Sequence, residues 1–197
     1  MSPLARIANL APYRLPMPNS AQLLRAIDFA AEKHRHQRRK DAAASPYINH
    51  PIAVASLLAN LGGVEDDAIL MAAILHDTLE DTFTTVAELK KEFGDTICRW
   101  VQMVTDDKTL PKAVRKQFQI EHTPHLALPA KLIKLADKIC NVQDISAHPP
   151  AEWSLEQRLM YLNWAEAVVA GCRGAHPVLE AYFDRCLTQA RQRLTIS

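Results

Sequence analysis

Glycine is scarce in this chain, with five residues in 197, and runs rich in β-branched residues are few. An all-β fold needs both, for its turns and its strands, and is disfavoured. No apolar stretch approaches ~18 residues, so no membrane span is expected. The N-terminus lacks a charged segment followed by an apolar core and a cleavage site, so no secretory signal is expected. The net charge is only +1, and no global field draws the chain to nucleic acid or to a membrane surface. The four cysteines, Cys98, Cys140, Cys172 and Cys186, show no C-x-x-C spacing. That disfavours a disulfide framework or a cysteine zinc site, and a cytoplasmic protein with reduced thiols is expected. A glycine-rich phosphate loop and a serine nucleophile motif are also missing, which leaves P-loop nucleotide binding and acyl-enzyme chemistry without support.

What is present is helical. With 48% hydrophobic residues, the length suits one sizeable domain. Residues 1–19 hold Pro3, Pro12, Pro16 and Pro18 and read as an extended arm, ahead of a domain at 20–197. Ser20 reads as the cap of a first helix, with Leu23, Leu24, Ile27, Ala30 and Ala31 at helical spacing. That helix is expected to end in the basic run His34 to Lys40. Pro51 fits the first turn of a second helix, and Gly62-Gly63 closes it. Glu65, Asp66 and Asp67 suit the first turn of a third. Thr84 or Thr85 caps a short fourth helix ending at Phe93-Gly94, and Asp95 caps a fifth. Pro111 opens a sixth. A strongly periodic helix spans Ala127 to Asp144, and two amphipathic helices, Ser154 to Gly171 and His176 to Leu194, follow the break at His148-Pro149-Pro150. The expected architecture is an all-α, single-domain bundle of about eight or nine helices.

One stretch carries the chemistry. Ala72-Ala73-Ile74-Leu75 is apolar, and His76-Asp77-Thr78-Leu79-Glu80-Asp81 then delivers four ionisable groups within six positions. If this segment is helical, His76 and Glu80 are i,i+4 neighbours, as are Asp77 and Asp81. Buried charges are costly unless partnered, and a divalent first-row cation suits imidazole with carboxylate. His50 stands at the start of the second helix, and Asp137 interrupts an apolar helix face with Asn141 four residues on. His50, His76, Asp77 and Asp137 therefore fit one metal sphere with open positions. Such a metal lowers the pKa of bound water and polarises phosphoryl oxygens. Glu80 and Asp81 are placed to orient or deprotonate that water. The alternative is that these carboxylates cap helices and form salt bridges. Two basic clusters, His34 to Lys40 and Lys108, Lys112, Arg115 and Lys116, read from charge alone as solvated faces or as phosphate contacts.

Five stretches add a resemblance: HRHQRRKD at 34–41, SPYINHP at 45–51, AAILHDTLEDT at 72–82, VTDDKTLPK at 104–112 and KLIKLADKICN at 131–141. Trp153-Ser154 and Tyr161 to Ala165 accompany them. In this order and spacing the chain resembles the HD phosphohydrolase superfamily, whose name refers to the pair seen here as His76-Asp77. It is similar in particular to the hydrolase domain of RelA/SpoT proteins and to the stand-alone small alarmone hydrolases, which include the metazoan SpoT homologs. The similarity covers nearly everything after residue 20.

The resemblance implies an HD-type helical fold. It implies His50, His76, Asp77 and Asp137 as ligands, usually of manganese (Mn2+), and Glu80 and Asp81 as the catalytic acidic pair. Arg38, Arg39 and Lys40 would line the nucleotide site. Lys112, Asn141 and Tyr161 would approach phosphate or ribose. The implied reaction is hydrolysis of the guanine nucleotides ppGpp and pppGpp to GDP or GTP and pyrophosphate, which lowers alarmone levels in the stringent response. Relatives often carry arginine where this chain has Gln157, with Arg158 adjacent. No synthetase, TGS or ACT segment is present in the sequence, and a hydrolase without them is expected. Two other functions fit the same residues: removal of the 2′-phosphate of NADPH at the same metal site, and alarmone binding without cleavage.

Overall fold

The computed structural model describes residues 19–196. The expected proline-rich arm lies outside them, save for Asn19, which opens the first helix. The described residues form nine α-helices and one 3-10 turn. In order they are α1 Asn19–Lys33, α2 Asn49–Asn60, α3 Asp67–Leu75, α4 Thr78–Asp81, α5 Val86–Val104, α6 Lys112–His122, the 3-10 turn Thr123–His125, α7 Leu128–Ala147, α8 Leu155–Ala170 and α9 Pro177–Ile196. Among these residues the only β pairing is an isolated antiparallel bridge between Arg38 and Pro46. The all-α, single-domain expectation is met. None of the described helices is long and apolar enough to cross a membrane, and all four cysteines are free and buried.

Two helices form the centre. α3 is apolar on every side, and Ile69 through Leu75 are all buried, as an all-round hydrophobic helix requires. It packs against α1, α2, α5 and α7. α7 buries Leu132, Ile133, Leu135, Ala136 and Ile139 against α2, α5, α8 and α9. Each fully buried Leu or Ile contributes ~1.5–3 kcal/mol relative to exposure, so α7 is firmly held. Yet it also buries Lys134, Asp137 and Lys138, which points to the site. Local signals set the helix starts. Asp66 caps α3 by accepting from Ala68 N at 2.8 Å. Thr85 caps α5 by accepting from Glu88 N at 3.1 Å. Ser154 and Gln157 form a reciprocal capping box on α8.

Two elements depart from the sequence-based expectation. α1 starts at Asn19, so Ser20 lies within its first turn, and it ends at Lys33. The basic run after it turns away because its backbone pairs elsewhere: Arg39 N donates to Ser45 O at 2.8 Å and Tyr47 N to Gln37 O at 3.2 Å. The second departure is at His76-Asp77. α3 stops at Leu75, and the four-residue α4 begins at Thr78. Two side chains capture the carbonyls that would continue the helix. His76 Nδ1 donates to Ala73 O and Thr78 Oγ1 to Leu75 O, each at 2.7 Å, a competition with backbone bonding that local donors can win. Asp77 sits at φ −95°, ψ −4°, in the sparsely allowed bridge region where many active-site residues are found.

The expected boundary at Gly94 is met. Two helical segments of α5 meet in a kink at that residue, which sits at φ 83° and ψ 172°. That conformation is essentially restricted to glycine. A Cβ there would meet nothing within 4 Å, so the cost of a side chain is conformational and not steric. Gly94→Ala is expected to lower unfolding free energy by ~1–3 kcal/mol, read from the denaturant midpoint, with helical content unchanged.

Candidate metal centre and its two clefts

His50 enters from the first turn of α2, His76 and Asp77 from the break between α3 and α4, and Asp137 from the middle of α7. The break aims consecutive residues into one space. His76 Nε2 lies 3.1 Å from Asp77 Oδ2 and 3.9 Å from Asp137 Oδ1. His50 Nε2 lies 3.1 Å from Asp137 Oδ1 and 3.9 Å from Asp77 Oδ2. Ligand atoms of His50, His76 and Asp137 all fall within 4.8 Å of one another, with these three residues 4%, 5% and 8% exposed. The four expected ligands thus converge.

Their surroundings fit a cation. His76 Nδ1 donates to Ala73 O, so Nε2 presents its lone pair to the carboxylates, buried and without a hydrogen-bond partner. A lone pair facing carboxylate oxygens is repulsive unless positive charge sits between them. Burial lowers the His76 pKa, but Asp77 and Asp137 outweigh burial and raise it to about 9. The two carboxylates thus favour a positive charge at this nitrogen. Burial acts to raise the pKa of Asp77 and of Asp137, yet the imidazoles, and Lys138 at Asp137, hold both below the usual carboxylate range. Two imidazoles with two carboxylates form a donor set that a divalent first-row ion accepts. Outer contacts fix the ligands. Tyr47 Oη donates to Asp77 Oδ2 at 2.7 Å, Lys138 Nζ to Asp137 Oδ2 at 3.0 Å, and Asn141 Nδ2 to Asp137 Oδ1 at 2.5 Å.

The centre opens into a cleft of about 210 Å³ that also exposes Glu80, Asp106, Lys134, Lys138 and Trp164. Beside it lies a larger cleft of about 400 Å³, lined by Arg38, Arg39, Lys40, Asp81, Asp144 and Trp153, among others. Tyr47, Asn141 and Tyr161 line both. The acidic pair is therefore split. Glu80 faces the metal cleft, where its Oε2 accepts from Asp106 N at 3.0 Å. Burial, with the carboxylates of Asp106, Asp77 and Asp81, raises its pKa to about 7 against that hydrogen bond. Asp81 faces the larger cleft, and both its oxygens are engaged, Oδ2 by Gln37 Nε2 at 2.9 Å and Oδ1 by Lys108 Nζ.

Of the expected substrate residues, Arg39 is the best fixed. It pairs with Asp144, reaches Asn141 Oδ1 at 3.4 Å and lies over the Tyr47 ring at 5.5 Å. Arg38 is exposed and donates to the carbonyls of Arg35 and Gln37. Lys112 is exposed at the start of α6 and belongs to neither cleft. Gln157 is occupied by its capping box, and Arg158 donates to Trp153 O at 3.1 Å, so neither faces the two clefts. Sequence reasoning assigned no role to Tyr47, Lys138 or Asp144. Asp144 carried a spacing signal, three residues beyond Asn141 and seven beyond Asp137 on α7. Tyr47 carried only its place three residues before His50.

A family profile described as an HD domain matches residues 26–165. The chain belongs to the HD-domain family. Curated relatives of this HD-domain protein include the human protein named guanosine-3′,5′-bis(diphosphate) 3′-pyrophosphohydrolase MESH1, 52% identical over 161 residues that cover 82% of this chain and 90% of the relative. The Drosophila melanogaster protein of the same name is 43% identical over 170 residues, covering 86% and 95%. A solved structure, described as a metazoan ortholog of SpoT that hydrolyzes ppGpp and plays a role in starvation responses, superposes with a TM-score of 0.85 at 42% identity. It covers 89% of this chain and 98% of its own.

The site of this HD-domain protein makes a direct test possible. His76→Ala should reduce bound divalent cation to background by elemental analysis. Tyr47→Phe, which removes only the hydroxyl on Asp77, should weaken cation binding about 10–100-fold by calorimetric titration while the thermal midpoint of the cation-free protein shifts little.

Proposed function

We propose that this HD-domain protein is a manganese-dependent guanosine-3′,5′-bis(diphosphate) 3′-pyrophosphohydrolase of the cytoplasm. The observation that carries the reading is the His50, His76, Asp77 and Asp137 cluster, whose cleft shares Tyr47, Asn141 and Tyr161 with the larger cleft that Arg39 lines, in a chain 52% identical to a protein named for that reaction. His50, His76, Asp77 and Asp137 would hold the ion. When bound, it would supply charge neutralisation at the phosphates and a lowered pKa for water.

The chain's own residues divide the remaining work. Arg39, stacked on Tyr47 and anchored by Asp144, presents a planar guanidinium to the nucleotide. Asn141 and Tyr161 sit where the two clefts meet and orient the ribose 3′ side, while Arg38 and Lys40 add positive charge at the rim and Lys112 adds it from outside the two clefts. Water adds to the phosphorus next to the ribose 3′ oxygen, the bond from that phosphorus to the oxygen breaks, and pyrophosphate leaves. Glu80, with a pKa of about 7, takes the proton from water, and a proton finally resides on the 3′ oxygen of GDP. Asp81, with both oxygens already accepting hydrogen bonds, serves as a fixed anion that orients the reactants. Positioning and preorganised charge account for most of the catalysis in such phosphoryl chemistry.

Purified protein with manganese is expected to convert ppGpp to GDP and pyrophosphate with a kcat/KM well above its value for removal of phosphate from NADPH, both read by chromatography of the products. A preference for NADPH would reassign the substrate, and tight ppGpp binding without turnover would make the domain a sensor.

Glu80 generates a second prediction. A base must be ionised to accept a proton, so kcat should fall as pH drops below about 7. Glu80→Gln should retain the metal and ppGpp affinity within a few-fold, lose ~10²–10⁴-fold in kcat, and lose that acidic limb. A variant that is destabilised but turns over at the wild-type rate would remove Glu80 from the mechanism.

A further inference from the structure

His34 is 2% exposed, carries charge-capable nitrogens and lies just past the end of α1, yet nothing in the mechanism above uses it. Its surroundings are specific. Nδ1 is 2.7 Å from Gln37 Oε1, while Nε2 is buried and finds no protein partner. Gln37 in turn donates from Nε2 to Asp81 Oδ2 at 2.9 Å. A carboxylate only accepts, so the amide must present its NH₂ to Asp81 and its oxygen to His34. The hydrogen on His34 must then sit on Nδ1. A hydrogen on Nε2 would be a buried donor without an acceptor, a costly arrangement. Each group in this chain fixes the orientation of the next.

The same imidazole reaches a second carboxylate, Asp77, through Tyr47. Its ring stacks on Tyr47 with centroids 4.9 Å apart and planes 30° apart, and Tyr47 Oη donates to Asp77 Oδ2. The backbone closes the arrangement: Gln37 N donates to His34 O at 2.9 Å and Tyr47 N to Gln37 O at 3.2 Å. One short turn therefore controls Asp81 through an amide and braces Asp77 through a phenol.

We propose that His34 and Gln37 are positioning residues for the hydrolytic reaction, with the Nδ1–H of His34 locking the Gln37 amide so that it holds Asp81 toward the larger cleft. The inference rests on the hydrolase reading above, but its geometry is testable apart from turnover. Asp81 receives a second donor from Lys108, whose side chain is 47% exposed, so Gln37, braced from behind by a buried ring, is the more rigid of the two. A carboxylate held from one side by a fixed amide keeps its orientation when substrate arrives, which is what a preorganised site requires.

The test pairs kinetics with spectroscopy on the full chain. Gln37→Met keeps the length of the side chain and removes the amide. It is expected to lower kcat for ppGpp roughly tenfold to hundredfold, the scale on which small misplacements act, with metal affinity and thermal midpoint near wild type. His34→Leu should lower kcat similarly. His34→Asn, whose amide nitrogen can occupy the place of Nδ1, should restore most of the loss, a rescue that a purely space-filling role would not show. Nitrogen spectra of the imidazoles should find His34 protonated at Nδ1 in the wild type and should lose that preference in Gln37→Met. A folded Gln37→Met protein with wild-type kcat, or a wild-type His34 protonated at Nε2, would overturn the proposal. Should the wild type fail to cleave ppGpp, the hydrolase reading falls, while the nitrogen spectra still decide whether His34 and Gln37 hold Asp81.

Discussion

Asp137 is a carboxylate in the middle of α7, one of the two central helices of the bundle. Removing an ion from water costs several kcal/mol even after relaxation unless partners replace the lost hydration. Here they come from three directions. Lys138 and Asn141 are neighbours on α7, His50 comes from α2, and His76 stands 3.9 Å away at the end of α3. The requirement to surround this one group explains why α2, α3 and α7 pack together at this level. It also explains why a lysine is tolerated in a core position: the Asp137 carboxylate offsets the desolvation of the Lys138 ammonium, and the Trp164 ring, 4.3 Å from its Nζ, covers it. The convergence of His50, His76, Asp77 and Asp137 and the packing of the core are one arrangement.

Adjacent carboxylates in the chain experience different physics. Glu80 is turned into the confined cleft, where burial and three neighbouring carboxylates oppose its ionisation. Asp81 is turned to the wider cleft and accepts from two donors. Two groups of the same chemistry whose environments differ this way take different parts in acid–base work. The turn of α4 that separates them is the device. At four residues it is too short to be stable alone, and it is held by Asp81 N donating to Asp77 O at 2.9 Å and by Thr82 Oγ1 donating to Thr78 O at 2.6 Å.

Much of this was legible beforehand. The apolar periodicity of α7 with Asp137 breaking it, the acidic start of α3, the Thr85 cap and the proline and glycine punctuation all act locally, and local signals are what a sequence displays. What it did not display was competition between donors. Nothing near His76 is a helix breaker by composition, so a continuous helix through Asp81 was the natural reading. The break goes with His76 and Thr78 taking carbonyls, at the end of a helix packed against α1, α2, α5 and α7. The path of His34 to Lys40 was hidden for a similar reason, since much of its backbone pairing is with residues 45–47, outside the run. Lys112 illustrates the reverse case. The family resemblance implied a substrate contact, whereas charge alone also fitted a solvated face; α6 buries none of its residues and Lys112 is exposed at its start.

The two clefts differ in what surrounds them. The smaller is walled largely by side chains of packed helices, His50 of α2, Val104 of α5, Ile133 and Asp137 of α7 and Trp164 of α8, which belong to or border the hydrophobic centre of the protein. Much of the larger is walled by connecting segments, the turn at 37–41 and the stretch at 148–153. Replacements in the first wall are paid for in folding free energy, and selection removes most of them before any effect on chemistry is felt. Replacements in the second cost the fold little, since loops tolerate change. Duplicated copies of this gene would therefore diverge in the lining of the larger cleft long before they diverge around the buried His50, His76, Asp77 and Asp137 cluster.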